Sequence, residues 1–529
     1  MPKVLIADGL SSAALQIFAG RGVAVDNRKN TSADELLQLI PDYDALVVRS
    51  ASRVTPAVLD AARKMKVVGR AGIGVDNIDV AAATARGVMV MNTPFGNNIT
   101  TAEHTVSLMM ALARQIPEAN ASTHAGKWEK SKFMGVELYG KTLGLIGCGN
   151  IGGIVADRAQ GLKMKVIAYD PFLSAERAEQ LGVEKIDLDQ LLARADFISL
   201  HVPLTEQTKN ILDAAALAKC QKGVRIINCA RGGLVVEADL KAALDAGHVA
   251  GAALDVFAEE PAKNNILFGD PRVVCTPHLG AATVEAQENV ALQIAEQISD
   301  FLLVGAVSNA LNMPNVSAED APRLKPYMKL ADHLGSLAGQ MAAANGQGAI
   351  REISLGYIGH VAALNIKPLS SIMLKGALGQ GMESINMVNA PHMAKERNIK
   401  VTDTRTDKTT DYQTLVSVTL QQASGTLSVK GTLASNGDAR LVGLNGIRCE
   451  AELTPRMLLI SNHDKPGFIG RLGTLLGNAG INIANFTLGR DHEGGKALAL
   501  VAVDQPVDDA LVTDIRKLDG VVSATALMF

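Results

Sequence analysis

A short glycine-rich run limits what this chain can fold into more than any other feature. The run is GCGNIG at 147–152, and it follows the apolar stretch KTLGLIG at 141–147. Apolar residues at helical spacing continue over 151–163, and a second apolar stretch, KVIAY at 165–169, is followed by Asp170. The order of strand, glycine turn, helix, strand and acid predicts a βαβ unit that binds a dinucleotide.

The chemistry of this unit favours NAD as the cofactor. Glycines permit a tight turn and a close approach of the pyrophosphate, which the helix N-terminus attracts. Asp170 is expected to accept hydrogen bonds from the adenosine ribose; its carboxylate would repel the 2′-phosphate of NADP, and no arginine follows it directly. Taken alone, the hexamer also fits an ordinary tight turn between strand and helix. The predicted contacts here are Gly147, Gly149, Asn150, Ile151, Gly152 and Asp170.

Length and composition exclude several classes of protein. The 529 residues suggest about three or four domains. A net charge of −3 and an aromatic content of 3% argue against binding nucleic acid. No apolar stretch reaches the roughly 18 residues that span a bilayer, and MPKVLIADG has too short an apolar run for a signal peptide. The five cysteines form no CxxC pair, which indicates reduced thiols in a cytoplasmic protein.

Alternating strand and helix patterns predict an α/β fold with two doubly wound parallel sheets of the Rossmann or flavodoxin-like type. A helix over 100–114, opened by threonines suited to capping and ended by Pro117, leads into the second sheet. A helix over 283–304 is long enough to return to the first sheet. The tail over 455–529 has the ferredoxin-like order βαββαβ.

We therefore predict four domains. They are a first α/β domain at 1–98 with 284–314, a dinucleotide-binding Rossmann domain at 99–283, an intervening α+β domain at 315–452, and the βαββαβ domain at 453–529.

Three polar side chains follow strands of the second sheet and are candidates for catalysis. They are Arg231, Glu260 and His278, and each lies where a strand end should face the cofactor. Hydride transfer from an alcohol needs a base, and a carboxylate such as Glu260 would orient His278 for that task. Arg231 would bind a substrate carboxylate through its bidentate fork. Individually, the three residues also fit a hydrogen-bonding loop histidine, a solvated turn glutamate and a surface arginine.

Six stretches together resemble the D-isomer-specific 2-hydroxyacid dehydrogenases, and most closely the long members that act on 3-phosphoglycerate. They are VGRAGIGVDNIDV, NTPFGNNITTAEHTVSLMMALAR, GKTLGLIGCGNIG, NCARGGLVVEADL, GAALDVFAEEP and TPHLGAAT. The resemblance implies NAD-dependent oxidation of 3-phospho-D-glycerate to 3-phosphohydroxypyruvate, the first step of L-serine biosynthesis, with Arg231, Glu260 and His278 as catalytic residues. It adds the cofactor contacts Pro203, Cys229, Ala230, Asp255 and Gly280, of which Asp255 would face the nicotinamide carboxamide.

The resemblance also assigns residues to the substrate, whose phosphate needs cations. Arg49 and Arg70 match the family's anion-binding positions in the substrate-binding domain, which corresponds to 1–98 with 284–314. Backbone amides of Gly72, Gly74 and Asn97 would add donors. The alternative for each arginine is a solvated strand end. No metal is expected.

The tail resembles an ACT domain, a small ligand-sensing module. In relatives L-serine binds between paired ACT domains, at positions that correspond to Asn462, Asp464 and Asn482. Asp464 also fits an N-cap for a helix near Pro466, and Asn482 fits a turn residue. In the intervening domain, Arg440 and Arg448 fit either an anion site or a solvated surface. The segment that includes the 100–114 helix resembles the family's dimer-forming region and implies a homodimer or homotetramer.

Two other functions remain open from the sequence. One is a different D-2-hydroxyacid dehydrogenase, acting on glycerate, hydroxypyruvate, glyoxylate or formate; the arginines at 49 and 70 and the long tail disfavour it. The other is an NAD-sensing binding protein, which an intact set of Arg231, Glu260 and His278 disfavours. His104 and His201 are expected to pack within the structure, and Cys229 is expected to be a structural thiol.

Overall fold

The computed structural model describes residues 1–316, 320–344, 346, 349–380, 385–423 and 425–529. The chain forms two compact units. Unit 1 comprises Met1–Asn92 and Ile294–Phe529, and unit 2 comprises Thr93–Gln293. The finer division into four domains stays a prediction.

Unit 1 begins with a parallel five-stranded sheet. Its strands are β1 (Lys3–Ile6), β2 (Ala24–Asn27), β3 (Ala45–Val48), β4 (Val67–Arg70) and β5 (Met89–Met91), and its helices are α1 (Ser12–Gly20), α2 (Ala33–Leu39), α3 (Pro56–Ala61) and α4 (Val80–Ala85). The order across the sheet is β2-β1-β3-β4-β5. Each helix begins at a residue whose side chain accepts a backbone amide, namely Ser11, Ser32, Thr55 and Asp79.

Unit 2 is built on a parallel seven-stranded sheet. Its helices are α5 (Asn98–Arg114), α6 (Ile116–His124), α7 (Asn150–Gly161), α8 (Ala175–Gln180), α9 (Leu188–Arg194), α10 (Ala214–Lys219) and α11 (Glu237–Asp245). Its strands are β6 (Thr142–Ile146), β7 (Lys165–Tyr169), β8 (Glu184–Lys185), β9 (Phe197–Leu200), β10 (Val224–Asn228), β11 (Val249–Leu254) and β12 (Val273–Cys275). The order β12-β11-β10-β9-β6-β7-β8 confirms the Rossmann-like prediction.

Two details of the predicted 100–114 helix were wrong. The helix α5 begins at Asn98, after Asn97, and no threonine caps it. Pro117 does not end a helix; it occupies the first turn of α6, where a missing amide proton costs nothing. The break between the two helices lies at Gln115, whose backbone is left-handed with a φ of 51°.

Helix α12 (Val284–Val304) leads back into unit 1, which continues with a mixed six-stranded sheet. Its helices are α13 (Ala321–Ala344), α14 (Lys367–Leu378) and α15 (Ala390–Glu396), and its strands are β13 (Ile350–Gly359), β14 (Lys400–Thr406), β15 (Thr414–Gln422), β16 (Gly425–Leu433), β17 (Ala439–Leu444) and β18 (Ile447–Glu452). The strand order is β14-β13-β15-β16-β17-β18, and among the pairs formed by described residues β13–β14 is parallel and the others are antiparallel. Asn386 lies just before α15, and its Nδ2 donates to the carbonyl of Gly87, which follows α4, at 2.8 Å.

The last domain has the predicted βαββαβ order. It consists of β19 (Arg456–His463), α16 (Phe468–Asn478), β20 (Ile483–Arg490), β21 (Lys496–Val503), α17 (Asp509–Arg516) and β22 (Val521–Met528). The sheet is antiparallel in the order β20-β21-β19-β22.

The six-stranded and four-stranded sheets share one hydrophobic core. Alternate residues of β19 point to opposite faces: Leu458 and Ile460 pack with α16 and α17, whereas Met457 and Leu459 belong to the core built by α13, α14 and the larger sheet. The side-chain amide of Gln340 on α13 also bonds both backbone groups of Met528, at 2.7 and 3.0 Å. The terminal sheet therefore forms one wall of the intervening domain's core.

None of the helices within the described ranges combines the length and apolar character needed to cross a membrane.

Candidate active site

The glycine turn between β6 and α7 has the geometry that a dinucleotide requires. Gly147 has a φ of 94°, and a Cβ there would lie 2.7 Å from the carbonyl oxygen of His201. A Cβ at Gly149 would meet open space, whereas one at Gly152 would collide with the Gly147 carbonyl. Gly147 thus permits the turn, Gly149 leaves room for a pyrophosphate, and Gly152 lets α7 approach. Within the described residues no side chain caps α7 at Asn150, so its amides suit an anion.

Asp170 lies at the end of β7, next to this turn. One carboxylate oxygen accepts the Cys148 amide at 2.9 Å, and the other accepts the Phe172 amide at 2.8 Å. A carboxylate has about four lone-pair positions, so each oxygen can accept a further donor. The residues around the turn therefore fit NAD, and Ile151 follows in the first turn of α7.

His278 and Glu260 form a hydrogen-bonded pair in the same unit. Nδ1 of His278 lies 2.7 Å from Oε2 of Glu260, and Oε1 accepts the Phe257 amide at 3.0 Å. The hydrogen bond that His278 donates to Glu260 raises the pKa of His278, burial opposes this, and the charges of Glu260 and Asp255 add to the rise. Burial alone would raise the pKa of Glu260, but its bonds to His278 and Phe257 bring it below the ordinary value. The pair therefore favours a charged imidazole, oriented by the carboxylate.

Arg231 lies in the loop after β10. Nδ2 of Asn228 donates to the Arg231 carbonyl at 2.8 Å, and the Arg231 guanidinium donates to the carbonyl of Ala230 at 2.6 Å. A side chain at Gly232 would collide with the Phe257 carbonyl, so this loop lies against the backbone that leads to Glu260. The positive charge of Arg231 lowers the pKa of His278, which places the two residues in one electrostatic environment.

Asp255, at the end of β11, is fully buried and ties together the loop that carries His278. Its carboxylate accepts the Thr276 hydroxyl at 2.5 Å and the amides of Leu279 and Gly280 at 2.7 and 2.8 Å. Nε2 of His104 lies 3.2 Å from the same carboxylate. Burial would raise the pKa of Asp255, but these hydrogen bonds lower it below the usual range, so the group is ionised. Its contact with the nicotinamide carboxamide stays a prediction.

The other predicted cofactor residues of unit 2 lie at strand ends or in their loops. Cys229 follows β10 and is buried, and burial raises the pKa of its thiol to about 12, which agrees with a structural thiol. The amide of Ala230 donates to Asn228 Oδ1 at 3.0 Å, and the carbonyl of Gly280 accepts the Thr101 hydroxyl at 2.9 Å. Pro203 is exposed in the loop after β9.

In unit 1, Arg49 follows β3 in a loop held by two polar side chains. Asp8 accepts the Arg49 amide at 2.6 Å and the hydroxyl of Ser52 at 2.6 Å. Nδ2 of Asn77 donates to the carbonyls of Arg49 and Ser52 at 2.8 and 2.6 Å. Asp8 and Asn77 thus bind the backbone of this loop and not the Arg49 guanidinium.

Arg70 ends β4, and its guanidinium lies over the following turn. Gly72 has a φ of 147°, which favours glycine, and a Cβ there would lie 2.5 Å from Nη1 of Arg70, so a larger residue would displace this guanidinium. Gly74 lies in the same turn. In unit 2, Asn97 precedes α5, and its buried Oδ1 has no hydrogen-bond partner among the described residues.

The structure does not bring the three predicted effector residues together within one chain. Asn462 is buried on β19, and Asp464 lies just beyond it, bound to Arg490 at 2.8 Å. Asn482 lies at the other end of the sheet, where Nδ2 donates to Asp504 at 2.6 Å. On β21, Ala497 pairs with Asn462 and Val503 pairs with Ile483, next to Asn482. These two positions are six residues apart, which is about 20 Å. Arg440 pairs with Glu452 at 3.6 Å and Arg448 with Asp411 at 3.2 Å.

Asp464 is not a helix cap, contrary to the alternative drawn from the sequence. Helix α16 begins after Gly467, and Asp464 instead accepts Arg490 and the Gly494 amide. The hydrogen bond from Arg490, followed by that from the Gly494 amide, lowers the pKa of Asp464.

Sequence reasoning missed the residues that support the predicted ones. Asp8 and Thr276 each follow a strand, so the rule that selected Arg231 and His278 would also have selected them. Asn77 and His104 carry no such signal, because their partners lie far away in the sequence.

Family models match most of this chain. The NAD binding domain of D-isomer specific 2-hydroxyacid dehydrogenases matches residues 106–280, the D-3-phosphoglycerate dehydrogenase intervening domain matches 323–445, and the ACT domain matches 456–520. A Thermus thermophilus protein of solved structure matches with a TM-score of 0.55 and 33% identity, over 58% of this chain and 99% of its own. A glyoxylate reductase from Paecilomyes thermophila matches with a TM-score of 0.55 and 29% identity, over 59% and 98%. Fold and site thus define an NAD-dependent D-2-hydroxyacid dehydrogenase.

Full-length relatives narrow this class. D-3-phosphoglycerate dehydrogenase of Synechocystis sp. is 42% identical, over 98% of this chain and 94% of its own. The enzymes of that name from Archaeoglobus fulgidus and Bacillus subtilis are 41% and 39% identical, each over 99% of both chains. The chain belongs to the D-3-phosphoglycerate dehydrogenase family.

Proposed function

We propose that this chain oxidises 3-phospho-D-glycerate to 3-phosphohydroxypyruvate with NAD, the first step of L-serine biosynthesis. The observation that carries the proposal is the 2.7 Å pair of His278 and Glu260, in the same unit as the glycine turn that fits NAD. The similarity to D-3-phosphoglycerate dehydrogenases along nearly the whole chain supports this substrate.

The reaction removes a hydride from C2 and a proton from the C2 hydroxyl. Bound NAD supplies the hydride acceptor. His278 takes the hydroxyl proton while Glu260 orients the ring and stabilises the imidazolium that results. Arg231 binds the substrate carboxylate as a bidentate partner. Arg49 and Arg70 bind the phosphate, with amides of Gly72, Gly74 and Asn97 as further donors.

A substrate panel tests this function. Formation of NADH from 3-phospho-D-glycerate is compared with that from D-glycerate, with NAD and with NADP as cofactor. We expect a marked preference for the phosphorylated acid and for NAD. An equal or higher kcat/KM with D-glycerate would assign another hydroxyacid to the site, and no NADH from any 2-hydroxy acid would favour a binding protein.

Replacing Glu260 with glutamine should move the pH dependence of the reaction. His278 must be neutral to accept a proton, so oxidation is slow below its raised pKa and accelerates as pH increases through it. Without the negative charge the pKa of His278 falls, so the rise of kcat/KM in E260Q moves to lower pH by about one unit. In the reverse reaction, which needs the imidazolium, activity is lost at correspondingly lower pH.

The matched control for this variant is Glu259→Gln, which neutralises the exposed carboxylate next in the chain. Its pH profile should coincide with that of the unmodified enzyme. If the pH profile of E260Q also coincides with that of the unmodified enzyme, Glu260 does not set the pKa of His278.

A homo-oligomer, dimer or tetramer, is the assembly we propose. Support comes from large apolar side chains that are exposed between residues 95 and 139, namely Phe95, Ile99, Met110, Ile116, Trp128, Met134 and Tyr139. Light scattering distinguishes the two assemblies. We also propose a cytoplasmic location, which the five free cysteines support.

L-Serine is the effector we propose for the ACT domain. Asn462 supports this, because its buried Oδ1 has no partner among the described residues and is available to a ligand donor. Since the distance within one chain separates Asn482 from Asn462 and Asp464, the site would combine residues of two chains. We expect L-serine to lower the rate and to raise the melting temperature, and D-serine to do neither. If L-serine leaves both quantities unchanged, this proposal is wrong.

A further inference from the structure

His104 approaches the loop that carries His278, residues 276–280, from a different element of unit 2. It lies on α5, whereas the loop that carries His278 follows β12. The buried carboxylate of Asp255 joins them: it accepts three donors from Thr276, Leu279 and Gly280, around His278, and it faces Nε2 of His104 at 3.2 Å.

The direction of the His104 contact follows from the available protons. The hydroxyl of Thr276 has one proton, which it donates to Asp255. Nε2 of His104 therefore faces two groups that can only accept from it, the Asp255 carboxylate and the Thr276 oxygen, each 3.2 Å away. The proton of the ring must lie on Nε2, and His104 is the donor.

Close packing brings α5 within reach of this carboxylate. A Cβ at Gly251 in β11 would lie 2.8 Å from the Arg272 carbonyl oxygen and 2.9 Å from Cδ1 of Leu112 on α5, so the helix packs closely against the strand at this position. One turn before His104, the hydroxyl of Thr101 lies 2.9 Å from the Gly280 carbonyl and 2.9 Å from the Asn97 carbonyl, so the two oxygens share its one proton. Helix α5 therefore contacts the loop that carries His278 at two points, of which His104 has the charged acceptor.

The loop needs such restraint because His278 has an unfavourable backbone. Its φ is 56°, in the left-handed region, and its amide donates to the Asp255 carbonyl at 2.9 Å. A residue with such a backbone conformation keeps it only where several surrounding contacts enforce it.

We propose that His104 is a positioning residue for the reaction: by donating to Asp255 it fixes the 276–280 loop and so sets the position of the His278 imidazole. This inference rests on the proposed role of His278 as the base. It assigns His104 no contact with substrate or cofactor. Displacement of a reacting group by about 1 Å can cost up to 100-fold in rate, so a moderate effect on kcat is expected.

Three substitutions at His104 test the proposal. Glutamine keeps an N–H donor near the position of Nε2, asparagine is polar but too short to reach Asp255, and leucine removes the donor. We expect kcat of H104L and H104N to fall about tenfold or more, and kcat of H104Q to stay within about threefold of the unmodified value. The affinity for NADH, followed by fluorescence, should fall by a smaller factor than kcat in H104L and H104N, because only the predicted cofactor contacts at Asp255 and Gly280 adjoin this loop, and it should stay unchanged in H104Q.

Hydrogen exchange supplies a readout that needs no turnover. The amides of His278, Leu279 and Gly280 donate to the carbonyl and carboxylate of Asp255. The 276–282 peptide should therefore exchange faster in H104L and H104N and at the original rate in H104Q. The control is His248→Leu, which removes a histidine at the opposite end of β11 and should alter neither kcat nor this exchange.

The outcomes separate the inference from the function on which it rests. Equal kcat and equal exchange in all variants, or equal losses in H104Q and H104L, would overturn the role of His104. If H104L does not fold, the comparison of H104N with H104Q decides. Failure of the unmodified enzyme to oxidise 3-phospho-D-glycerate would overturn the proposed function, while the exchange experiment would still test the loop.

Discussion

Replacement of His278 by asparagine is expected to lower kcat for 3-phospho-D-glycerate oxidation by about 10³-fold, within the range that general acid–base catalysis contributes. Asparagine removes the base, yet it tolerates the left-handed backbone that His278 adopts at a φ of 56°. The loss should therefore arise from chemistry rather than from a misfolded loop. Steady-state kinetics in both directions measure it, because His278 acts as base in oxidation and as acid in reduction.

Two measurements show whether the H278N loss is chemical. NADH affinity and melting temperature should stay close to those of the unmodified enzyme, and His248→Asn, the same substitution at a histidine before β11, should retain full activity. If H278N kept more than about a tenth of kcat, His278 would not be the base.

The second large effect is expected at Arg49. Its replacement by alanine should raise KM for 3-phospho-D-glycerate about 100-fold, because a phosphate loses charge-assisted hydrogen bonds that are each stronger than neutral ones. The constants for D-glycerate, which has no phosphate, should hardly change. The loop itself should persist, because Asp8 and Asn77 bind its backbone rather than the guanidinium. Kinetics with both acids therefore separate loss of a phosphate contact from damage to the site.

Arg63→Ala is the matched control for R49A. Arg63 is exposed and lies before β4, near the start of the strand that Arg70 ends. Its replacement should leave KM for both acids unchanged. A proportional rise of KM for both acids in R49A would contradict the phosphate role.

The features that could be predicted from the sequence are those whose residues lie close together along the chain. The glycine turn, Asp170 and the flanking strands lie within about 30 residues, so spacing alone predicts their relation. The rule that ligands bind at the carboxyl ends of parallel strands predicts that Arg231, Glu260 and His278 lie at one edge of the sheet. The 2.7 Å pair of Glu260 and His278 agrees with this prediction.

The features that sequence reasoning missed depend on distant partners. Asp464 has the residue type and position of a helix cap, but Arg490 and Gly494, which come later in the chain, bind its carboxylate instead. Pro117 is compatible with either the end or the first turn of a helix, and the left-handed Gln115 decided in favour of the first turn. The bond from His104 to Asp255 joins residues 151 positions apart, and no periodicity reports such a contact.

The wall that β19 provides has a consequence for how a regulatory signal would travel. Met457 and Leu459 lie in the hydrophobic core of the intervening domain. The side-chain amide of Gln340 forms two hydrogen bonds with the backbone of Met528, also in the terminal sheet. A deformation of the terminal sheet therefore displaces packed side chains around α13 directly, without a flexible tether to absorb it. For the same reason, a version of this protein shortened at residue 453 would be an enzyme with an opened interior rather than one merely released from feedback.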